Sequence, residues 1–313
     1  MNLQFLVTKL FRGALTLLLA VTFVFVVLRA SGDPAQIMMS DEASPDAIAA
    51  FRERWGLDKS MFEQYITYIG AMLQGDFGNS FRDGRPALEV IAERIPVTLQ
   101  LGITALLLTL LIGIPAGVIA ALKRGTWVDQ ATMSFTILGH SIPNFFLGIL
   151  LILLFSMTLR WLPSSGTGSI WHLLMPAITL GTAAAATVAR FTRSSMLDVL
   201  HQPFMRTAKA KGIPHERRVL RHAIPNAAIP VVTVVGMRIG GLIGGAVTIE
   251  TVFAWPGVGM LLVNAVNQRD LAVVQGVVLL IAFTMVAINL IVDLAYGWLD
   301  PRIELQNKKA ATT

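Results

Sequence analysis

The sequence contains no cysteine, which removes disulfides, thiolate metal sites and thiol nucleophiles at once and leaves the redox compartment unmarked. Charge is scarce. Asp, Glu, Lys and Arg together make up 14% of the 313 residues, against roughly a quarter in an ordinary soluble protein. Neither Gly-Lys-Ser nor Gly-Lys-Thr occurs anywhere, so the chain has no loop built to cradle a nucleotide's phosphates. HExxH, GxSxG and close clusters of His, Asp and Glu are also missing, which leaves no candidate catalytic residue and no metal site. The expectation is a chain that is not an enzyme and binds no cofactor of its own.

What fills the sequence instead is apolar: 54% of residues are hydrophobic and the mean hydropathy is +0.66. That composition describes an all-α integral membrane protein, because helices close their own backbone hydrogen bonds in lipid. A bilayer core needs about 20 apolar residues per helix. Six segments meet or approach that length, at about 10–29, 98–122, 133–159, 173–189, 226–249 and 272–297. The first has the look of a signal peptide, with Lys9 and Arg12 before an apolar run, but Leu28 spoils the small-x-small cleavage pattern and the core is long. The fourth, containing GTAAAATVA, is expected to be the shortest and to pack inside the bundle through small residues.

Loop charge sets the orientation, since short loops rich in Lys and Arg stay cytoplasmic. Residues 190–222 carry eight Lys/Arg against Asp198 and Glu216, a net of +6. Both termini then lie on the cytoplasmic side. The opposite 31–97 region has eleven acidic and six basic residues and reads as a small extracytoplasmic helical insertion. Ser44-Pro45-Asp46 begins one short helix, carrying Phe51 and Trp55, and Met61 to Leu73 forms a second that Gly75 ends.

The stretch RTAKAKGIPHERRVLRHAIPNAAIP, Arg206 to Pro230, joins spans four and five. Ala208, Ala210, Val219, Leu220 and Ala223 offer apolar faces, Gly212-Ile213-Pro214 breaks the chain, and Pro225 and Pro230 mark entry to the next span. The result is helix, sharp turn, helix. Such an element suits docking in another protein's cleft or, alternatively, lying as a basic connector on anionic lipid.

That segment resembles the cytoplasmic "EAA" loop of binding-protein-dependent ABC importer permeases, in its dipeptide, oligopeptide and nickel branch. Arg206-Thr207-Ala208 stands at the Glu-Ala-Ala positions, so the family's Glu is absent, with Gly212 at the glycine and Ile224-Pro225 at the terminal Leu-Pro. Other blocks agree in order: SGDPA from Ser31, WGLDKS from Trp55, GDFGNS from Gly75, HSIPNFFLG from His140, VFAWPGVGMLL from Val252 and LDPRI from Leu299. The resemblance implies a six-span type I ABC importer permease in a bacterial inner membrane, with residues 98–300 as its transmembrane domain and 301–313 as a cytoplasmic tail. It implies a peptide-like cargo, with nickel, glutathione or a glycoside as alternatives. The partners it implies are a second permease, two ATPase subunits that use ATP and Mg, an extracytoplasmic solute-binding protein and lipid, but no nucleic acid. The ATPase would grip the coupling loop at Arg206, Thr207, Ala208, Ala210, Gly212, Ile224 and Pro225.

A pathway needs interruptions and polar groups. Pro115 in IGIPAG and Pro143 in HSIPN remove helix hydrogen bonds at membrane depth. Gly236, Gly240 and Gly244 recur every four residues, as do Gly241 and Gly245, which suits close helix packing. Arg238 falls near the middle of span five, where a cation must face water, a ligand or a carboxylate; Glu250 and Asp293 sit at span ends. His140 is a lone span histidine, of the kind more often hydrogen-bonded in place than used as a ligand. A stand-alone ion-coupled transporter would require mid-span carboxylates, and a scaffold would leave the Pro and Gly breaks without purpose.

Overall fold

The computed structural model describes residues 3–30, 44–54, 57–80 and 82–299. The SGDPA block, Trp55, the tail from 301 and the side chains of Phe51 and Asp293 lie outside the described residues. In chain order the helices are α1 (Leu3–Ala30), α2 (Pro45–Arg54), α3 (Met61–Leu73), α4 (Ala87–Ala92), α5 (Ile95–Leu122), α6 (Trp127–Ser141) and α7 (Asn144–Leu151). A π-helical stretch, Ile152–Thr158, continues α7, and α8 (Ile170–Leu200) and α9 (Pro203–Ala210) follow. Next, α10 (His215–Arg218) runs through a second π-helical stretch, Val219–Ala223, into α11 (Ile224–Val252). Finally come α12 (Val258–Asn267) and α13 (Leu271–Leu299). Among the described residues five helical stretches are long and apolar enough to cross a bilayer, and α6 with α7 makes a sixth.

Two expected spans need correction. The third, expected as one span over 133–159 with its hydrogen bonds interrupted at Pro143, is a pair of helices bent by 102°. The cause is local: Ile142 precedes a proline, takes φ −88° and ψ 120°, and Pro143 then starts α7. Pro115, by contrast, is absorbed within an unbroken α5. The fourth, expected over 173–189 as the shortest, is the 31-residue α8, the longest helix among the described residues. Past Ala189 the sequence turns polar, yet Thr192, Ser195 and Met196 stay buried and hold the helix in the bundle. Neighbouring helices supply what apolar periodicity does not.

Its central position is as expected. Of the most apolar 18 residues of α8, 72% are buried, against 17–33% in the other long spans. Small residues permit this. A Cβ on Gly113 of α5 would lie 2.9 Å from the Ala185 carbonyl, and one on Gly117 would lie 2.5 Å from the Ala189 carbonyl and 2.6 Å from Thr192. In the reverse direction, a Cβ on Gly181 of α8 would lie 2.9 Å from Ala105 O. The two backbones therefore nearly touch, and Thr109 donates to Gly181 O at 3.2 Å.

Two buried polar knots lock the ends of the bundle. Glu250, fully buried in the last turn of α11, accepts from Thr98 Oγ1 at 2.6 Å, Gly259 N at 2.7 Å and Met260 N at 3.0 Å. It thereby joins α11, the start of α12 and the start of α5. The AWPG turn wraps this carboxylate: Trp255 N donates to Glu250 O at 2.8 Å and Trp255 Nε1 donates to Val97 O at 2.9 Å. At the other end Arg193 of α8 makes a two-pronged ion pair with Asp129 of α6, Nε to Oδ1 at 2.5 Å and Nη2 to Oδ2 at 2.8 Å. Gly125 N adds a bond to Asp129 Oδ2 at 3.0 Å, fixing the α5–α6 turn.

The insertion has the two helices expected of it. Ser60 and Glu63 form a reciprocal capping box at the start of α3, and Gly75 at φ +78° follows its end. Tyr65 shares a 2.7 Å hydrogen bond with Thr22 of α1, and both Tyr65 and Tyr68 pack on Phe25. Ser80 reaches across to donate to Asp270 Oδ2 at 2.5 Å in a buried contact, pinning the insertion to the α12–α13 corner.

Candidate functional site

Two places gather the residues singled out in the sequence. The first is the turn after α8. Pro203 opens α9 at its first helical position, where a missing N–H costs nothing. Met205 and Ala208 are buried, and Met205 joins Met196, Ala121, Val219 and Ala223 in one apolar cluster. Arg206, Thr207 and Ala210 are exposed on the opposite face. The helix ends in a paired closure, Ile213 N to Ala208 O at 3.2 Å and Gly212 N to Lys209 O at 3.0 Å. This is the Schellman arrangement, which needs a left-handed residue. Gly212 supplies it at φ +73°, and a Cβ there would meet open space. Its glycine is required by backbone angle, not by crowding. Ile224 is half-buried against the same apolar cluster and Pro225 is exposed at the start of α11.

The second place lies mid-bundle. Arg238 is exposed, midway along α11, and makes no ion pair with a described residue. Glu250 is committed to its own knot and is unavailable to it. Arg190, also exposed, sits on α8 with its guanidinium 5.7 Å from the centre of the Phe191 ring. His140, at the C-terminal end of α6, bonds Thr187 through Nε2 at 2.7 Å. Thr187 donates its own hydroxyl proton to Ala183 O at 3.1 Å, so its oxygen accepts Nε2–H from the imidazole. Both Arg190 and Arg238 lie near enough to His140 to act on its charge. Arg190 of α8 and Arg238 of α11 are thus both within electrostatic reach of His140 on α6, which stands three residues before exposed Pro143 at the 102° bend. Such a group can attract and orient an anion.

The glycine repeat of α11 divides. A Cβ on Gly236 would meet Val292 of α13 at 2.9 Å, and one on Gly244 would make only ordinary contact with Met285. Gly240 and Gly241 face open space, so Gly240 is not a packing residue within this chain; spacing alone does not say which positions face a neighbour. Sequence reasoning overlooked Arg190 as a companion of Arg238, and also the Asp129–Arg193 pair. Their partners are too distant in sequence for any local signal. For Glu250 a signal did exist in the glycines at 257 and 259 that crowd around it.

Comparisons with known proteins agree along the chain. The family described as binding-protein-dependent transport system inner membrane component matches residues 113–305, and its N-terminal companion matches residues 2–102. The glutathione transport system permease protein GsiC of Salmonella typhimurium strain LT2 is 44% identical over 289 residues, 92% of this chain and 94% of that protein. GsiC of Escherichia coli strain K12 is 42% identical over 302 residues, 96% of this chain and 99% of that one. Among solved structures, the MetNI methionine ABC transporter in inward-facing form aligns with TM-score 0.56 at 18% identity, covering 68% of this chain and 97% of its own. A six-span helical bundle with a buried central helix, matched along nearly its whole length, belongs to the family of binding-protein-dependent ABC importer permeases of the inner membrane.

Proposed function

We propose that this permease forms one half of a translocation pathway for a peptide-like, carboxylate-bearing substrate handed over by a solute-binding protein. ABC importer permeases work with another permease, with ATPase subunits and with a solute-binding subunit. Here the pairing is with a second, related permease and two ATPases, and the chain hydrolyses no ATP itself. Both termini and the α8–α11 connection lie in the cytoplasm, supported by the net +6 of residues 190–222.

The observation that carries the substrate reading is Arg238, exposed midway along α11 without an ion pair to a described residue, with His140 in electrostatic reach of it and of Arg190. An arginine at membrane depth costs several kcal/mol unless water, a ligand or a counter-charge meets it. A second reading, glutathione itself, is favoured by the GsiC relatives. It has the same chemistry, since glutathione is a tripeptide with two carboxylates.

The test is a paired measurement on Arg238→Gln in the assembled importer. Losing one charge-assisted contact is worth about 1.5 to 3 kcal/mol, or roughly one to two decades in transport efficiency. Uptake of a free-acid peptide should fall by that amount while the same peptide with its C-terminus amidated falls less, relative to wild type. Equal loss for both, or failure to assemble, removes the ligand role.

The α9 turn is proposed as the coupling element, moved by the ATPases as they close. Gly212→Val should leave the chain inserted but lower uptake, because a β-branched residue at φ +73° costs about 1 to 2 kcal/mol and re-aims α9. Wild-type uptake in that variant would return the turn to the role of passive connector.

A further inference from the structure

The insertion helix α3 has a broad apolar face, and the fold covers only one edge of it. That edge is Tyr65 and Tyr68, which turn to α1: Tyr65 bonds Thr22 at 2.7 Å, and the two tyrosine rings stand 5.3 and 5.5 Å from that of Phe25. Beside them run Phe62, Ile66, Ile69 and Leu73, spaced by four, three and four residues, which makes one continuous stripe of a helix. Phe62 is 73%, Ile66 53% and Leu73 83% exposed, and no residue of α3 is fully buried. Glu63, Thr67 and Gln74 lie on the opposite side, also exposed.

What covers the stripe follows from the helix that α3 rests on. Thr22 and Phe25 belong to the apolar stretch Val7–Val27 of α1, one of the spans. Leu18 stands one turn before Thr22 and two before Phe25, and Leu15 two turns before Thr22, so all four share one face of α1. Leu18 and Leu15 are 49% and 44% exposed, on a face that a membrane span turns to hydrocarbon. α3 therefore sits on the outward face of a transmembrane helix, and its open stripe carries that apolar surface onward without a break. No charged or hydrogen-bonding side chain interrupts the stripe, whereas protein interfaces interleave hydrogen bonds with their apolar contacts. We propose that α3 is seated in lipid: Phe62, Ile66, Ile69 and Leu73 lie against acyl chains beside the C-terminal half of α1, while Glu63, Thr67 and Gln74 turn to water. The insertion is then anchored in the bilayer as well as bonded to the bundle.

The natural absence of cysteine allows single labels without background. The full chain carrying bimane on Ile66→Cys or Leu73→Cys is reconstituted into phosphatidylcholine vesicles and measured alone and again with unlabelled partner subunits assembled on it. Phosphatidylcholine brominated on the upper part of its acyl chains should lower the fluorescence of both labels roughly twofold or more, because an interfacial helix buries its apolar face at that level. Leu18→Cys should respond alike. Iodide in the water should quench bimane on Thr67→Cys and leave the other three little changed. Iodide quenching at Ile66 and Leu73 equal to that at Thr67 would overturn the proposal by placing the stripe in water. So would labels that neither quencher reaches, or lipid quenching that is lost when the partners assemble, since protein would then be the cover.

Discussion

Gly257→Ala is expected to prevent the chain from accumulating in the membrane. A Cβ at this position would fall on Glu250 Oε1 and on Thr98 Oγ1, far inside contact distance. Neither atom has room to retreat: Glu250 is fully buried and held by three donors. Thr98 Oγ1 in addition accepts from Val258 N at 2.8 Å. Overpacking alone costs about 1 to 3 kcal/mol, and prising a buried carboxylate from its donors adds roughly 3 to 5 kcal/mol, together a large share of a stability of about 5 to 15 kcal/mol. Glu250→Gln should be milder, about 1 to 3 kcal/mol, because the amide keeps one acceptor but sets its NH₂ against donors. Thermal unfolding of detergent-solubilised protein ranks the two. A Gly257→Ala chain that unfolds at the wild-type temperature would refute the clash.

The second large effect is at Arg193→Ala. This truncation leaves Asp129, with its side chain 6% exposed, as a buried anion whose remaining polar contact is the Gly125 N–H. The cost of orphaning a buried charge is about 3 to 5 kcal/mol. Replacing both partners, Asp129→Leu with Arg193→Met, removes the charges and their desolvation together and should recover most of the loss. Unfolding midpoints of the single and double variants decide the matter. If the double variant is as unstable as the single one, packing and not charge accounts for the site.

Much of this molecule is legible from its apolar runs. α5, α11 and α13 fall within three residues of their sequence positions, and α1 ends where expected but starts seven residues earlier, because each is apolar over the length a bilayer demands. The capping box at Ser60 and the left-handed Gly212 could likewise be read locally. The far end of α8 could not, since Arg190 to Leu200 is polar in sequence and helical through its neighbours. Nor could the angle at Ile142, where a proline announces a break but not its size. The bond from His140 to Thr187 joins positions far apart in the chain, and a single sequence holds no record of such encounters. The glycines make the same point. Gly113 and Gly117 face α8 while Gly240, at equal spacing on its own helix, faces nothing in this chain.

The burial of α8 sets it apart from every helix around it. Peripheral helices that meet lipid answer to bilayer thickness, tilting or stretching as acyl chains lengthen. α8 buries 72% of its most apolar stretch inside the bundle, far more than the other long spans, so its length is a steadier ruler between the mid-bundle cations and the α9 turn. A thicker or thinner membrane would strain the outer ring first, and the distance over which the two ends of α8 communicate would stay the same.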